Sequence, residues 1–181
     1  MLELAAGSGL HTARLATALP GLDWQPTDVD PANFASILAW SATCPRTIRP
    51  PVLLDASQPG WSAQWPNRDA ILMVNLLHLI AEPAAATLLA EIALALSPTG
   101  KAFLYGPFLR EGRPSSDGDA AFGASLRGQD PQIGYKDLDW VLSQLRRSGL
   151  NAQCLEMPAN TNGAGLGLAG DSPELFAVIH C

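Results

Sequence analysis

The sequence is poor in cysteine and histidine, and this scarcity limits the kinds of site it can build. Its three cysteines, Cys44, Cys154 and Cys181, are widely spaced, and none belongs to a CxxC pair. Together with a total of three histidines, this pattern argues against a disulfide framework and against a zinc site. We therefore expect reduced cysteines and no bound metal ion.

Basic residues and long apolar runs are also scarce. Lysine and arginine number 11 against 17 aspartates and glutamates, so the formal net charge of the 181 residues is −6. Such a chain is poorly suited to bind nucleic acid phosphates or an anionic membrane surface. No apolar run approaches the roughly 18 residues of a membrane-spanning helix, and residues 1–9 lack the basic start of a signal peptide. These absences predict a cytoplasmic protein that binds neither nucleic acid nor membranes.

Apolar segments of strand character alternate with helical segments along the chain. Strands are predicted over residues 1–5, 23–28, 50–54, 69–77, 101–105, 150–157 and 175–181. Helices are predicted over residues 11–19, 31–43, 82–96, 120–126 and 135–148. This alternation indicates an α/β fold: a Rossmann-like, doubly wound, mostly parallel sheet of seven strands with helices on both faces. Because no helix separates the last two strands, we expect an antiparallel C-terminal strand.

The sequence predicts a single domain over residues 1–181, with two unusual features. The first strand begins at residue 1, where doubly wound enzymes usually carry a helix or two. We expect that this N-terminal helical segment is missing and that the apolar face left bare favours self-association. The second feature is the glycine-rich stretch 160–173, in which Gly165–Gly170 match GxGxxG. Since no helix follows the match, we predict a flexible hairpin loop there, not a nucleotide site.

The main functional pattern lies where the predicted parallel strands end, the place where open α/β sheets bind ligands. In the segment LELAAGSG at 2–9, Gly7 and Gly9 allow a tight turn and close approach of a ligand. The loop leads into a helix N-terminus, whose free N–H groups favour an anionic group. Asp28 ends the next strand, where a carboxylate can accept hydrogen bonds from both ribose hydroxyls of an adenine nucleoside. Helix capping is the alternative role for such a carboxylate, and we assign it to Asp30.

The same residues bear on the identity of the cofactor. A dinucleotide fingerprint needs a third glycine where Thr12 stands. S-adenosylmethionine has no pyrophosphate, so the close approach at Gly7 and Gly9 is sufficient for it. Glu3 can hold the ammonium of its amino acid end, and Asp55, after the third strand, can accept from the adenine amine. The set favours S-adenosylmethionine over a nicotinamide cofactor.

Together these segments resemble the class I methyltransferase-like family catalogued as domain of unknown function 938. Further segments that carry the resemblance are NLLHLI at 75–80, YGPF at 105–108, AAFGASLR at 120–127 and MPAN at 157–160. The resemblance implies a seven-stranded Rossmann-like sheet that binds S-adenosylmethionine, but it supplies no substrate. The expected cofactor-binding residues are Glu3, Ala5, Gly7, Ser8, Gly9, Asp28, Asp55, Ala56 and Asn75. The sequence departs from the family at Asp119, where an asparagine is usual, and in its inserted glycine-rich stretch.

His78 and Tyr105 are the candidate catalytic residues. His78 follows the fourth strand, whose end faces the sulfonium in methyltransferases of this class. A neutral imidazole there can accept a proton from the methyl acceptor, and the alternative is that His78 packs or hydrogen-bonds beneath the cofactor. Tyr105 and Phe108 flank a Gly-Pro turn, and we expect them to wall an acceptor pocket, with core packing as the alternative.

The predicted function is S-adenosylmethionine-dependent methyl transfer to a small molecule, with a protein side chain as the less favoured acceptor. The fourth strand does not end in the Asn-Pro-Pro-Tyr motif of enzymes that methylate nucleic acid amines. Because the methyl group is already activated, alignment and desolvation can do much of the catalysis without a dedicated base. Two alternatives remain open: a catalytically weak or inactive module that binds S-adenosylmethionine, and, less favoured, a nicotinamide-dependent oxidoreductase.

Overall fold

A computed structural model describes residues 1–44, 48–157, 161–167 and 174–180 of the chain. Within these ranges nine strands form one sheet. The strands are β1 (Leu2–Leu4), β2 (Gln25–Asp28), β3 (Val52–Leu53), β4 (Arg68–Val74), β5 (Leu96–Leu109), β6 (Lys136–Asp137), β7 (Asn151–Met157), β8 (Thr161–Gly167) and β9 (Glu174–His180). The α-helices of the described residues are α1 (Leu10–Ala18), α2 (Phe34–Ser41), α3 (Glu82–Ala95), α4 (Asp117–Gln129) and α5 (Leu138–Arg147).

The strand order places a switch point at the start of the chain. The order is β3-β2-β1-β4-β5-β9-β7-β8, with β6 paired to β5. The strands from β1 to β5 are parallel to their neighbours, and β1 pairs with both β2 and β4. The chain therefore moves outward from β1 on one side and returns to its other side at β4. The carboxyl ends of these strands meet at one edge, the usual ligand-binding edge of such a sheet.

The C-terminal part of the sheet differs from the prediction. The final strand, β9, is antiparallel to β8, so the C-terminal strand does have an antiparallel partner, as expected. It is parallel to β5 and β7, however, so the last two predicted strands, β7 and β9, pair parallel and not antiparallel. The reason is β8, which is antiparallel to β7 and to β9 and so adds one more reversal of the chain. The prediction of a flexible loop is therefore wrong for residues 161–167, whereas residues 160 and 168–173 lie outside the described residues.

Local capping explains where the helices begin. The Asp30 side chain accepts a hydrogen bond from the Ala32 N–H at 2.9 Å, and Pro31 opens the 3-10 turn that precedes α2. This confirms the capping role predicted for Asp30. Helix α5 begins in the same way, since the Asp137 side chain accepts from the Asp139 N–H.

Both faces of the sheet carry helices, as the sequence predicts. Alternate residues of each strand point to opposite faces, so a strand can pack against helices on both sides. On one face, Ile71 and Met73 of β4 belong to a core that also contains buried residues of α3 and α5. On the other face, Leu72 packs with Ala16 of α1 and with Trp24. Helices thus pack on both sides of the sheet, which supports the doubly wound α/β architecture.

Helix α1 covers only part of its face of the sheet. Between α1 and the strands β4 and β5 lies a groove with a volume of about 570 Å³. Its lining is mainly apolar and includes Leu15, Leu19, Leu22, Val74 and Phe103. The groove lies next to β1, at the face that we expected to be bare. Self-association through this face stays a prediction.

None of the helices in the described ranges is both long enough and apolar enough to cross a membrane. Cys44 forms no disulfide with any described residue. The expected state of Cys154 and Cys181 concerns side chains outside the described ones.

Candidate functional site

The two glycines of the loop after β1 have different structural roles. Gly7 and Gly9 both have positive φ angles, of 56° and 81°. A Cβ atom on Gly9 would lie 2.7 Å from the Cα atom of Ile37, so glycine is required there by the packing of the loop against α2. A Cβ atom on Gly7 would meet nothing within 4 Å. The outer side of Gly7 is therefore open, which gives a ligand room to approach the backbone.

Asp28 lies directly against this loop. Its Oδ2 atom accepts a hydrogen bond from the Gly7 N–H at 2.7 Å, and Oδ1 accepts from the Asp30 N–H at 2.9 Å and from the Asn33 side chain at 3.1 Å. The structure thus brings together the glycine loop and the carboxylate that the sequence predicted as a pair. A carboxylate has about four acceptor positions, so these three bonds leave one on Oδ2, in a residue that is buried, at 4% exposed.

Asp55 and Ala56 follow β3 at the same edge of the sheet. The Leu54 N–H donates to the backbone carbonyl of Asp28 at 2.9 Å, which places the end of β3 beside the end of β2. Burial acts to raise the pKa of the Asp55 carboxyl, but hydrogen bonds from Ser57 outweigh it and hold that pKa below its usual range. Asp55 is therefore available as an ionised acceptor. Ala56 is buried, and its carbonyl accepts from the Trp61 indole at 3.0 Å.

Glu3 points into the protein beneath the loop and is only 2% exposed. Its Oε2 atom accepts from the Thr12 hydroxyl at 2.6 Å and from the Trp24 indole at 2.7 Å. Burial raises the pKa of Glu3 to about 7, against the opposing effect of these two hydrogen bonds. Glu3 therefore connects β1 with α1 and with Trp24, the residue before β2, a role that the sequence did not reveal. Its predicted contact with the ammonium of the cofactor stays a prediction.

The remaining cofactor candidates also lie along this edge. Asn75 is exposed just after β4, with a positive φ angle of 56°, and its N–H donates to the Tyr105 carbonyl at 2.7 Å. Ala5 follows the neighbouring β1 and has a similar φ angle of 53°. The carbonyl of Ser8 accepts from the Ser36 hydroxyl at 2.8 Å, which fixes the loop to α2.

His78 lies in an aromatic cluster, which we define as His78, Phe122 and Tyr135. The imidazole meets the Phe122 and Tyr135 rings edge-on, with centroid separations of 5.9 and 5.8 Å. Burial, and secondarily the charge of the Lys136 ammonium, lower the pKa of His78 to about 4. The imidazole is therefore neutral at neutral pH. Sequence reasoning missed Tyr135 and Lys136, because their proximity to His78 arises only in the folded chain.

The segment that carries Tyr135 is hydrogen-bonded to the turn that carries His78. The Gly134 N–H donates to the His78 carbonyl at 3.0 Å. The buried Lys136 ammonium donates to the carbonyls of Ile80 and Gly134 at 2.7 and 2.8 Å. The Tyr135 hydroxyl donates to Asp119 at 3.1 Å, and burial and this carboxylate raise the pKa of Tyr135 to about 12.

The structure separates the two residues expected to wall an acceptor pocket. Tyr105 lines the groove beside α1, and burial raises the pKa of its hydroxyl. Phe108 is 2% exposed and belongs to the main core, which decides in favour of the core-packing alternative for this residue. Among the described residues, no group of three His, Cys, Asp or Glu side chains is arranged to hold a metal ion.

Comparison with protein families assigns the chain to a family. The model of DUF938, described as protein of unknown function, matches residues 1–164. The chain belongs to the DUF938 family. The match includes the glycine loop, Asp28 and the aromatic cluster, so the candidate site of this DUF938 protein lies wholly within the family region.

Solved structures share the fold of this DUF938 protein at low sequence identity. An O-methyltransferase family protein from Burkholderia thailandensis is 15% identical over 86% of this chain and 47% of its own, with a TM-score of 0.72. Human N-acetylserotonin methyltransferase in complex with S-adenosylmethionine is 17% identical over 86% of this chain and 43% of its own, with a TM-score of 0.67. The [4+2]-cyclase SpnF is 14% identical over 90% of this chain and 52% of its own, with a TM-score of 0.58.

The DUF938 chain thus has the class I methyltransferase fold and spans about half the length of these solved proteins.

Proposed function

We propose that this DUF938 protein binds S-adenosylmethionine and transfers its methyl group to a small-molecule acceptor. The observation that carries the proposal is the hydrogen bond between the Gly7 N–H and the Asp28 carboxylate, at the switch point of the sheet. This hydrogen bond joins a glycine loop that has free space beside Gly7 to a carboxylate that has one acceptor position left. The net charge of −6 supports a small molecule over a nucleic acid as the acceptor, and we propose a cytoplasmic location.

The residues at this edge fit the parts of S-adenosylmethionine. The open side of Gly7 admits the amino acid end, and the free acceptor position of Asp28 suits a ribose hydroxyl. Val29 directly follows Asp28 and is 56% exposed, so its aliphatic side chain is available to cover one face of adenine. Asp55 supplies the acceptor for the adenine amine. Bound there, S-adenosylmethionine supplies a methyl group activated by a sulfonium.

The lowered pKa of His78, which follows from its burial, favours positioning of the acceptor over proton removal. An imidazole with a pKa of about 4 is a weak base near neutral pH, because general-base catalysis works best when the pKa lies close to the working pH. We therefore assign His78 a hydrogen-bonding role toward the acceptor. Alignment of the reacting atoms and exclusion of water then supply most of the catalysis.

A module that binds S-adenosylmethionine without methyl transfer is the second candidate, and the weak basicity of His78 favours it where an acceptor would have to lose a proton. SpnF shares the fold and is named as a [4+2]-cyclase, so the fold alone does not decide between a methyltransferase and a binding module. A nicotinamide-dependent oxidoreductase is less favoured, because Thr12 stands where the dinucleotide motif needs glycine and its hydroxyl is bound to Glu3.

Isothermal titration with S-adenosylhomocysteine, NADH and NADPH tests the cofactor assignment. We expect saturable binding of S-adenosylhomocysteine and none of the nicotinamides. Binding of NADH or NADPH without S-adenosylhomocysteine would overturn the proposal. Incubation with methyl-labelled S-adenosylmethionine and a library of small molecules, read by mass spectrometry, then separates the enzyme from the binding module.

A further inference from the structure

The aromatic cluster combines residues from three separate parts of the chain. His78 lies in the turn after β4, Phe122 on α4, and Tyr135 between α4 and α5. The centroids of the Phe122 and Tyr135 rings are 6.1 Å apart, so each of the three rings lies beside the other two. Because β4 pairs with β1 in parallel, the turn that carries His78 starts at the same edge of the sheet as the glycine loop.

One polar atom in this cluster has no hydrogen-bond partner within the part of the chain that the structure describes. His78 is 6% exposed, and its Nδ1 atom is buried without a hydrogen bond to any described residue. Buried polar atoms are nearly always hydrogen-bonded in folded proteins. An unpaired ring nitrogen beside two aromatic side chains therefore points to a ligand that brings its own polar atom. Phe122 is the solvent-facing member of the cluster, at 47% exposed.

The charges around the imidazole indicate the sign of that ligand. Lys136 is buried, and its ammonium is held by two neutral carbonyls. Glu82 is exposed and Asp119 is bonded to the Tyr135 hydroxyl, whereas the Lys136 charge is the one that acts on the imidazole. A buried positive charge beside the imidazole favours an anionic ligand over a cationic amine.

We propose that the methyl acceptor binds in the aromatic cluster as an oxyanion on a flat apolar body, a phenolate or an aromatic carboxylate, with His78 Nδ1–H donating a hydrogen bond to the oxygen. This inference rests on the proposed methyltransferase function. A lone pair of the acceptor oxygen forms the new C–O bond while the methyl C–S bond breaks and its electron pair stays on sulfur. The negative charge of the oxygen and the positive charge of the sulfonium cancel, so no proton moves and no base is needed.

Nitrogen NMR of the histidine side chains tests the site with defined probes. Protein labelled with ¹⁵N-histidine and saturated with S-adenosylhomocysteine is titrated with benzoate and, separately, with benzylamine, and His78 is assigned from the His78→Gln variant. We expect benzoate to shift the His78 signals toward the Nδ1–H tautomer and benzylamine to leave them unchanged. Equal or larger shifts with benzylamine, or no shift with benzoate, would overturn the inference.

A pair of exposed aromatic residues provides the matched variants. Phe122→Leu should weaken benzoate binding about 2- to 10-fold, the usual contribution of an aromatic contact. Trp40→Leu, on the distant helix α2, should leave benzoate binding unchanged. Equal benzoate affinities of the two variants would show that benzoate binds outside the aromatic cluster and would overturn the inference.

The titrations distinguish failure of this inference from failure of the proposed function. Absence of S-adenosylhomocysteine binding refutes the proposed function. Normal S-adenosylhomocysteine binding together with an unresponsive His78 refutes the oxyanion site alone.

Discussion

At the residue scale, Gly7 and Gly9 offer a direct test of the loop after β1. Gly9→Ala places a Cβ atom against the backbone of Ile37 and requires a left-handed conformation, so we expect a loss of about 2–5 kcal/mol in the free energy of unfolding. Gly7→Ala has open space, and only its positive φ should cost about 1–2 kcal/mol. Urea denaturation of both variants measures these losses. A Gly9→Ala protein as stable as Gly7→Ala would contradict the packing described here.

Asp28 and Asp30 form a second pair with different roles. Asp28→Ala should weaken S-adenosylhomocysteine binding by about 1.5–3 kcal/mol, because a hydrogen bond to a charged acceptor is lost. Asp30→Ala should mainly reduce stability, by roughly 1 kcal/mol, since Asp30 is a cap. Calorimetric titration of each folded variant separates the two roles, and wild-type affinity in Asp28→Ala would remove Asp28 from the site.

The capping prediction made from the sequence succeeds because the relevant contact is local. Asp30 caps residues directly after it, and short-range patterns predict such contacts. The partners of Glu3 and His78 depend on how helices pack against the sheet, and no short segment encodes that packing. Thr12 illustrates the difference: the sequence showed only that it is not glycine, and the fold gives it a hydrogen bond to Glu3.

At the scale of elements, Glu3 connects β1 with α1 and with the residue before β2, and its ionisation makes this packing sensitive to pH. Its pKa is about 7 in the folded protein and 4.5 in its ordinary state. Between these values the folded protein holds a proton that the unfolded chain has lost. The free energy of unfolding should therefore fall as the pH rises through this window, by about 3 kcal/mol in total.

The isosteric variant Glu3→Gln has no proton to lose at this position. Its unfolding free energy should lack this part of the pH dependence, while the side-chain oxygen still accepts from Thr12 and Trp24. Urea denaturation of both proteins between pH 4.5 and 8 gives the difference. Parallel pH profiles for wild type and variant would mean that Glu3 is not buried as described.

Strand β8 shows why part of the sheet was not predictable. Its sequence, TNGAGLG, contains three glycines, which are unfavourable in strands, and its pairing with β7 and β9 depends on residues distant in the chain. Since β8 lies at the opposite end of the sheet from β2, deleting residues 163–170 should lower the melting temperature. Affinity for S-adenosylhomocysteine should stay within a few-fold. Loss of binding in a folded deletion variant would show that this segment contacts the cofactor.

At the scale of the whole molecule, the groove beside α1 is where the expected self-association would take place. Leu19 lines it and is 45% exposed. Leu19→Glu puts a charge on this apolar surface, which opposes its burial against a second copy. Sedimentation velocity should show wild-type protein associating with rising concentration and the variant remaining monomeric. Identical monomeric behaviour of both proteins would contradict the expectation.

The inner position of β1 has a consequence for protein synthesis. Leu2 pairs with Gln25 and also with Ile71, so one side of β1 stays unpaired until the ribosome has made β4. At translation rates of about 5–20 residues per second, this interval lasts for several seconds. During this interval the nascent chain carries β1 without its partner β4. A chaperone that binds unpaired apolar strands can act on β1 in this interval.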